Sequence, residues 1–311
     1  MRFCAPPRRL FVLFSAILLA LPAAACLGQV VPGTGQRIDG VGDDFEDAEW
    51  TFVHNYPKSS ENIDENQRYP SGKSANGRWY EGMKRGHPDY LVRVATPEGG
   101  LPGSEGALAI RSLYTGIPWK PSFRTQQDDF ICNVMYRTGG AISARRIPNV
   151  VTRVYMPPFE QWEKRTGPTF AFRLAINPMS PLPKSDPSDP DTYWPGLLVD
   201  FRSTADGKTE QDTAFFRIRA ARNGRDYTGP EITQTGWWTM GMSVTRDGRI
   251  HYYARPGVED LREEDRIASQ YPYGARARSF RTFFFNVLSR DDGKTWSTQW
   301  IVDDPAVYVA N

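Results

Sequence analysis

The chain is poor in the residues that staple small proteins or build transition-metal centres. Among 311 residues there are three cysteines and three histidines. Cys4 and Cys26 lie within or at the edge of an apolar N-terminal leader, so only Cys132 is left and a disulfide framework is excluded. His54, His87 and His251 are widely separated, and no H-x-x-x-H or C-x-x-C spacing occurs, which argues against a zinc enzyme. Beyond the leader no segment reaches the ~18 consecutive apolar residues that a membrane span requires. An excess of one charge is missing as well. The 38 basic residues fall to 35 once Arg2, Arg8 and Arg9 of the leader are set aside, against 36 acidic ones. A near-neutral chain gives no electrostatic reason to expect nucleic acid or an anionic membrane as partner.

What is present begins with that leader. MRFCAPPRRL supplies a basic start and FVLFSAILLALPAAA an apolar run ending in small residues, so residues 1–28 read as a secretory signal peptide and the protein as secreted or periplasmic. The candidate cleavage points are after Ala25, in an A-x-A context, and after Gly28. A lipoprotein anchored through Cys26 fits less well, because Ala23 stands where such sites usually carry leucine. Residues 29–42 are expected to be a flexible N-terminal segment and residues 43–311 a single domain, with no internal repeat of propeller length.

Short runs of alternating or aromatic and β-branched residues, punctuated by Gly, Pro and Asp, fill that domain and predict an all-β, two-sheet antiparallel sandwich. Candidate strands cover 107–112, 129–136, 150–156, 169–176, 196–202, 213–221, 237–245, 249–254, 282–289 and 298–304. In TFAFRLAI, Phe170, Phe172, Leu174 and Ile176 share one face and Arg173 takes the other; Phe216 and Ile218 oppose Arg217 and Arg219 in the same way. One short helix is expected near 157–166, where prolines suit a first turn and Gly167 a stop. Residues 54–90 and 177–196 read as long loops.

The stretch SRDDGKTW, residues 289–296, resembles the Asp-box of bacterial sialidases. It is isolated, and its chemistry is that of a turn: Asp291 accepts loop N–H groups, Gly293 takes positive φ, and Trp296 returns to the core between the strands 282–289 and 298–304. A broader resemblance rests on DDFEDAEW (43–50) with GSEGALAIRS (103–112), and on WWTMGMSVTRDGRIHYYA (237–254), with Asp247-Gly248 at a hairpin turn. These are similar to segments of the concanavalin A-like, laminin-G-like jelly-roll superfamily. The resemblance implies a jelly-roll sandwich whose concave sheet holds sugar chains, a fold that serves lectins, glycosidases, lyases and adhesive modules alike.

No residue is assigned a catalytic role. The E-x-D-x-E triplet of the superfamily's retaining glucanases is absent, and the Q-I-H strand of its lyases is only echoed by Arg249-Ile250-His251. The densest mixture of rings and charges is NGRWYEGMKRGHPD, residues 76–89, with Trp79, Tyr80, Glu81, Arg85, His87 and Asp89. Aromatic faces stack on sugar rings while charged groups bond hydroxyls, so this segment is a candidate glycan site; the alternative is a loop pinned over the sandwich by Trp79. Arg173, Arg217 and Arg219 add a basic face, so the expected partner is an extracellular glycan, with an anionic polysaccharide as a reasonable ligand; the alternative is solvated arginines on an open sheet. Competing readings are a jelly-roll polysaccharide lyase or glycosidase, the lyase using His87 or His251 with a nearby tyrosine and arginine, and a structural cell-envelope protein. If the first and last strands pair, Asp44, Glu46 and Asp303 offer oxygen ligands for a structural calcium ion; acids that cap turns are the alternative.

Overall fold

A computed structural model describes residues 1, 30–60, 68–116, 121–182 and 191–310. Within the leader only Met1 is described, so the leader lies outside the described residues, as do 61–67 and 183–190 of the two long loops.

Two antiparallel sheets face each other. The first runs Arg266–Gln270 (β16), Ile250–Pro256 (β15), Gly236–Val244 (β14), Pro148–Met156 (β9), Trp300–Val309 (β18), Gly106–Arg111 (β6) and Tyr90–Ala95 (β5), and Gln36–Gly42 (β1) also pairs with β18. The second runs Asp226–Ile232 (β13), Thr213–Arg219 (β12), Gly196–Arg202 (β11), Gly167–Pro178 (β10), Ala277–Arg290 (β17), Thr125–Cys132 (β7), Trp79–Glu81 (β4), Lys73–Ser74 (β3) and Phe52–Val53 (β2), with Ile142–Ser143 (β8) pairing β17. This is the expected all-β sandwich of jelly-roll type. Alternation places the core as read: Phe170, Phe172, Leu174 and Ile176 are fully buried between the sheets with Phe283, Phe285 and Val287 from β17. Side chains at the intervening positions of β10, β12 and β17 therefore point out of the second sheet.

Departures from the sequence reading have local causes. Residues 36–42 are not free; β1 is in register with β18, Gln36 opposite Val309. In place of a helix at 157–166 there is one 3-10 turn, Phe159–Gln161. Trp162 leaves the turn with extended backbone, buries its ring 5.0 Å from that of Trp300, and donates its indole N–H to the Pro157 carbonyl at 2.6 Å. The α-helix stands elsewhere, at Val134–Thr138 (α1), closed by Gly139 in the left-handed region.

The SRDDGKTW segment also differs from the expected hairpin. β17 belongs to the second sheet and β18 to the first, so the segment carries the chain from one sheet to the other. Gly293 has φ 70°, as a turn requires. Asp292, rather than Asp291, knits the turn, accepting from the N–H groups of Lys294 and Thr295 and from the Thr295 hydroxyl. Asp291 instead ties the turn to a neighbouring loop through the Ser122 N–H. Trp296 stays outside under the Arg111 guanidinium, and Trp300 is the ring that enters the core.

Candidate functional site

The residues 76–89 do not form one exposed loop. Strand β4 carries Trp79 inward, where it is fully buried, stacked 4.3 Å from Phe130 and donating its indole N–H to Asp43. Asp43 also accepts from the Trp50 indole and from Asn76, so the acid in DDFEDAEW is a buried hub for two tryptophans. Trp79 thus cannot offer a face to a sugar. Glu81 points inward too. It accepts from the backbone N–H groups of Ser59, Ser71 and Gly72 and from the Asn55 amide, clamping the segments around it. His87 is fully buried, with one ring nitrogen near the Pro88 carbonyl and the other near Asn55; burial lowers its pKa to about 4. Asp89 accepts from the N–H groups of Leu113 and Tyr114 and pairs with Lys58 at 3.0 Å. Glu81, His87 and Asp89 are therefore bound up in the fold, and only Tyr80 and Arg85 of the six candidates in this segment line open space.

That space is a groove of about 510 Å³ on the outer face of the second sheet. Its floor follows the register. Arg219 pairs with Gly196, Gly196 with Arg173, Arg173 with Phe284, Phe284 with Ile131, and Ile131 with Tyr80. Six strands at ~4.8 Å spacing make this row ~24 Å long. Gly196 is what lets it close up: a Cβ there would stand 2.4 Å from Cγ of Arg173. Arg173 lies over the gap with its guanidinium 5.4 Å from the Phe284 ring and its Nη2 donating to the Trp194 carbonyl. Burial, with help from Arg219, lowers its pKa to about 10, so it stays cationic at neutral pH. Arg219 is held by a two-pronged bond to Asp226 at 2.7 and 3.1 Å. Arg217, two residues away, is not part of the groove lining and pairs with Asp200 at 2.5 Å.

The rim comes from the turn after β4. Gly82 and Gly86 bridge each other, and the intervening Met83, Lys84 and Arg85 face the groove, with Lys84 over the Trp194 ring. Arg281 and Tyr273 complete the cationic and aromatic lining. Of the charged groove-lining residues among those described only Asp129 is acidic, against Lys84, Arg85, Arg173, Arg219 and Arg281, so this lining favours an anionic guest. The Asp129 carboxyl accepts from Asn286 at 2.6 Å and Gln127 at 3.0 Å, and burial raises its pKa. Tyr80 is 38% exposed, and burial of its hydroxyl raises the pKa to about 12. From sequence, Asp128 and Asp129 in QQDDF read ambiguously, as metal ligands or as acids capping a turn, and Trp194, Tyr273 and Arg281 were not singled out, because they sit in loops or at an alternation that a lone strand does not resolve.

His251 lies in the first sheet, on β15, bonded to the Thr245 hydroxyl. Neither His87 nor His251 joins a tyrosine and an arginine in the groove, so the histidine-based lyase site is not assembled. At the N-terminal end, Glu46 accepts from the N–H groups of Glu105 and Gly106, Asp44 from that of Glu46, and Asp303 from the Ser104 hydroxyl and the Asp304 N–H. These carboxylates are engaged with amides and a hydroxyl, and among the described residues no group of three His, Cys, Asp or Glu side chains is placed to hold a metal ion. The geometry there shows these acids capping turns.

No known family matches the chain, and no curated protein does. Similarity to solved structures is at the level of the sandwich. An alginate lyase from Pseudomonas aeruginosa aligns at 12% identity over 71% of this chain and 86% of its own, with a TM-score of 0.39. The catalytic domain of a glycoside hydrolase family 131 protein from Coprinopsis cinerea aligns at 11% identity over 88% and 94%, with a TM-score of 0.43. An endo-β-1,4-glucuronan lyase from Trichoderma reesei aligns at 13% identity over 75% and 94%, with a TM-score of 0.38. At such identities and scores, function has to be argued from the groove itself.

Proposed function

We propose that the protein is an extracellular binder of acidic polysaccharide, with the groove on the second sheet as its site. The observation that carries this reading is the single row Arg219–Gly196–Arg173–Phe284–Ile131–Tyr80, which sets cations and aromatic rings along one line about as wide as several sugar rings. A uronate carboxylate meets Arg173, and ring faces meet Tyr80, Trp194 and Tyr273, so charge and stacking act on the same chain of sugars. The secretory leader expected from the sequence would deliver the protein to where such glycans occur.

The test is titration calorimetry of the leaderless protein with oligouronates and with neutral oligosaccharides of equal length. Binding of the acidic series alone, weakening as salt rises, is the expected result. Equal affinity for both series, or none for either, sinks the proposal.

A degradative role is the second reading, and Asp129 is what favours it. A carboxyl raised by burial on the floor of a cationic groove, with the Tyr80 phenol on the same wall, is a proton-transfer pair in place of the histidines. Growth of ultraviolet absorbance from unsaturated uronate ends during incubation with oligouronate would establish it; a flat trace under conditions where binding is measured leaves the protein a binder.

A further inference from the structure

Behind the groove, sealed from it by β7, a lysine and two aspartates meet in the protein interior. The side chains of Lys58 and Asp128 are both without solvent exposure, and Lys58 Nζ lies 2.6 Å from Asp128 Oδ2 and 3.0 Å from Asp89 Oδ1. We propose that Lys58 and Asp128 condense to an intramolecular amide cross-link, with Asp89 as the base that takes up the proton. The proposal is independent of what the groove binds.

The two acids are not equivalent, and their difference assigns the roles. Asp89 collects the N–H groups of Leu113 and Tyr114 on one oxygen and Lys58 and the Tyr56 hydroxyl on the other, so donors meet both of its oxygens. Among the described residues Asp128 has Lys58 and the Ser112 hydroxyl, both on Oδ2, and its buried Oδ1 has no hydrogen-bond partner. That oxygen is where a proton sits at least cost. Burial, the largest influence on Asp128, pushes its carboxyl well above the usual carboxylate range, and the negative charge of Asp89 adds to the push. The reacting form proposed for the site is an ammonium on Lys58, a carboxylate on Asp89 and a protonated carboxyl on Asp128. A nitrogen 2.6 Å from one carboxyl oxygen is also about 3–3.5 Å from the carboxyl carbon, the range of a near-attack contact.

The chemistry balances within the cluster. The Lys58 ammonium gives one proton to Asp89 and becomes a neutral amine. Its Nζ forms a bond to Cγ of Asp128, the C–O bond to the carboxyl hydroxyl breaks, and that hydroxyl leaves as water with a second proton from nitrogen. The products are a neutral amide, one water and protonated Asp89. The overall charge is unchanged, and neither oxidant nor reductant is required. Burial favours the step, because a desolvated ammonium–carboxylate arrangement is costly and an amide is neutral. The link would close a loop between positions 70 residues apart, fastening the segment around Lys58 to β7.

Intact-mass measurement of the denatured full chain, followed by tryptic mapping, decides the matter. The expected mass is lower than that of the linear sequence by one water, with no tryptic cleavage after Lys58 and a branched peptide that joins Lys58 to Asp128. Asp89→Asn is expected to abolish the mass loss completely and to restore cleavage after Lys58. A wild-type chain of linear mass that trypsin cuts after Lys58 overturns the proposal whatever the variant does, and a cross-linked Asp89→Asn protein overturns the role given to Asp89.

Discussion

Replacing Trp79 by alanine separates the two readings that the sequence left open for this residue. If the ring were a sugar platform, its loss would weaken binding and spare stability; the buried ring predicts the reverse. Trp79 has no exposed surface, stacks on Phe130 at 4.3 Å and on Phe285 at 5.9 Å, and meets Phe283 edge-on at 5.6 Å. Removing a ring so enclosed costs about 3–5 kcal/mol in lost transfer energy and residual cavity. The lost hydrogen bond contributes less, about 0.5–1.5 kcal/mol, because Asp43 Oδ2 keeps the Trp50 indole and the Asn76 amide. Trp79→Phe keeps most of the stack and is expected to lose less than half as much. Urea unfolding followed by tryptophan fluorescence and circular dichroism measures both variants against the wild type. A Trp79→Ala protein that unfolds at the wild-type midpoint yet no longer binds oligouronate would refute the burial argument and return Trp79 to the binding surface.

Further outcomes follow from the groove and from the buried histidine. Arg173→Ala should weaken oligouronate binding about 10–100-fold, the value of one charge-assisted pair, while unfolding stays cooperative; calorimetry reads it, and Arg173→Lys should recover only part because the two-pronged geometry is lost. The contribution of neutral, buried His87 to stability should be lost as pH falls from about 6.5 to about 4. Buried His87 binds its proton only near pH 4, whereas the unfolded chain binds it near 6.5, so the unfolded state gains the proton first, a difference of about 3 kcal/mol. Asp303, raised to about 7 by burial and by Asp304, acts in the opposite sense between about pH 4 and 7, so the informative measurement is the slope of stability against pH for His87→Gln relative to wild type. A slope unchanged by the substitution removes His87 as a cause.

Much of the sandwich was legible because its central strands are dense in aromatic, aliphatic and β-branched residues. β9, β10, β11, β14, β15 and β17 are near-continuous buried runs, and arginines alternate with apolar residues in β12. The unread strands sit at or near an edge. β13, with sequence DYTGPEI, and β16, with RIASQ, bury little, and β13 contains a proline that an edge tolerates. β5 is the far edge of the first sheet, and β1 packs against β18 through a bulged register. The site was legible only in part, for a related reason. Composition marks 76–89 as rich in rings and charges, but alternation within the three residues of β4 decides which point outward, and one step of phase separates Tyr80 in the groove from Trp79 and Glu81 in the interior. For Arg173, Arg217 and Arg219 the shared outward face was correct, but convergence depends on strand order. Gly196 stands between Arg173 and Arg219, and nothing in a single strand announces which neighbour it will have.

Gly196 is accordingly the position at which the groove is most exposed to a small change. A methyl group there would lie 2.4 Å from Arg173 Cγ and 2.8 Å from the Phe172 carbonyl oxygen, so neither the side chain nor the strand can stay where it is. Gly196, the first residue of β11, is paired with Arg173 on one side and Arg219 on the other, so its strand gives only slightly and the Arg173 side chain takes up most of the change. Gly196→Ala should therefore turn the guanidinium away from the Trp194 carbonyl and from the line joining Arg219 to Tyr80 while every cation of the groove is retained. If net positive charge alone recruits the ligand, this variant binds as the wild type does. If alignment of the row is what matters, it loses affinity to nearly the extent of Arg173→Ala, and the loss persists at low salt where unaligned charges attract most strongly. Calorimetry at two ionic strengths, with circular dichroism to show that the sheet is intact, distinguishes them.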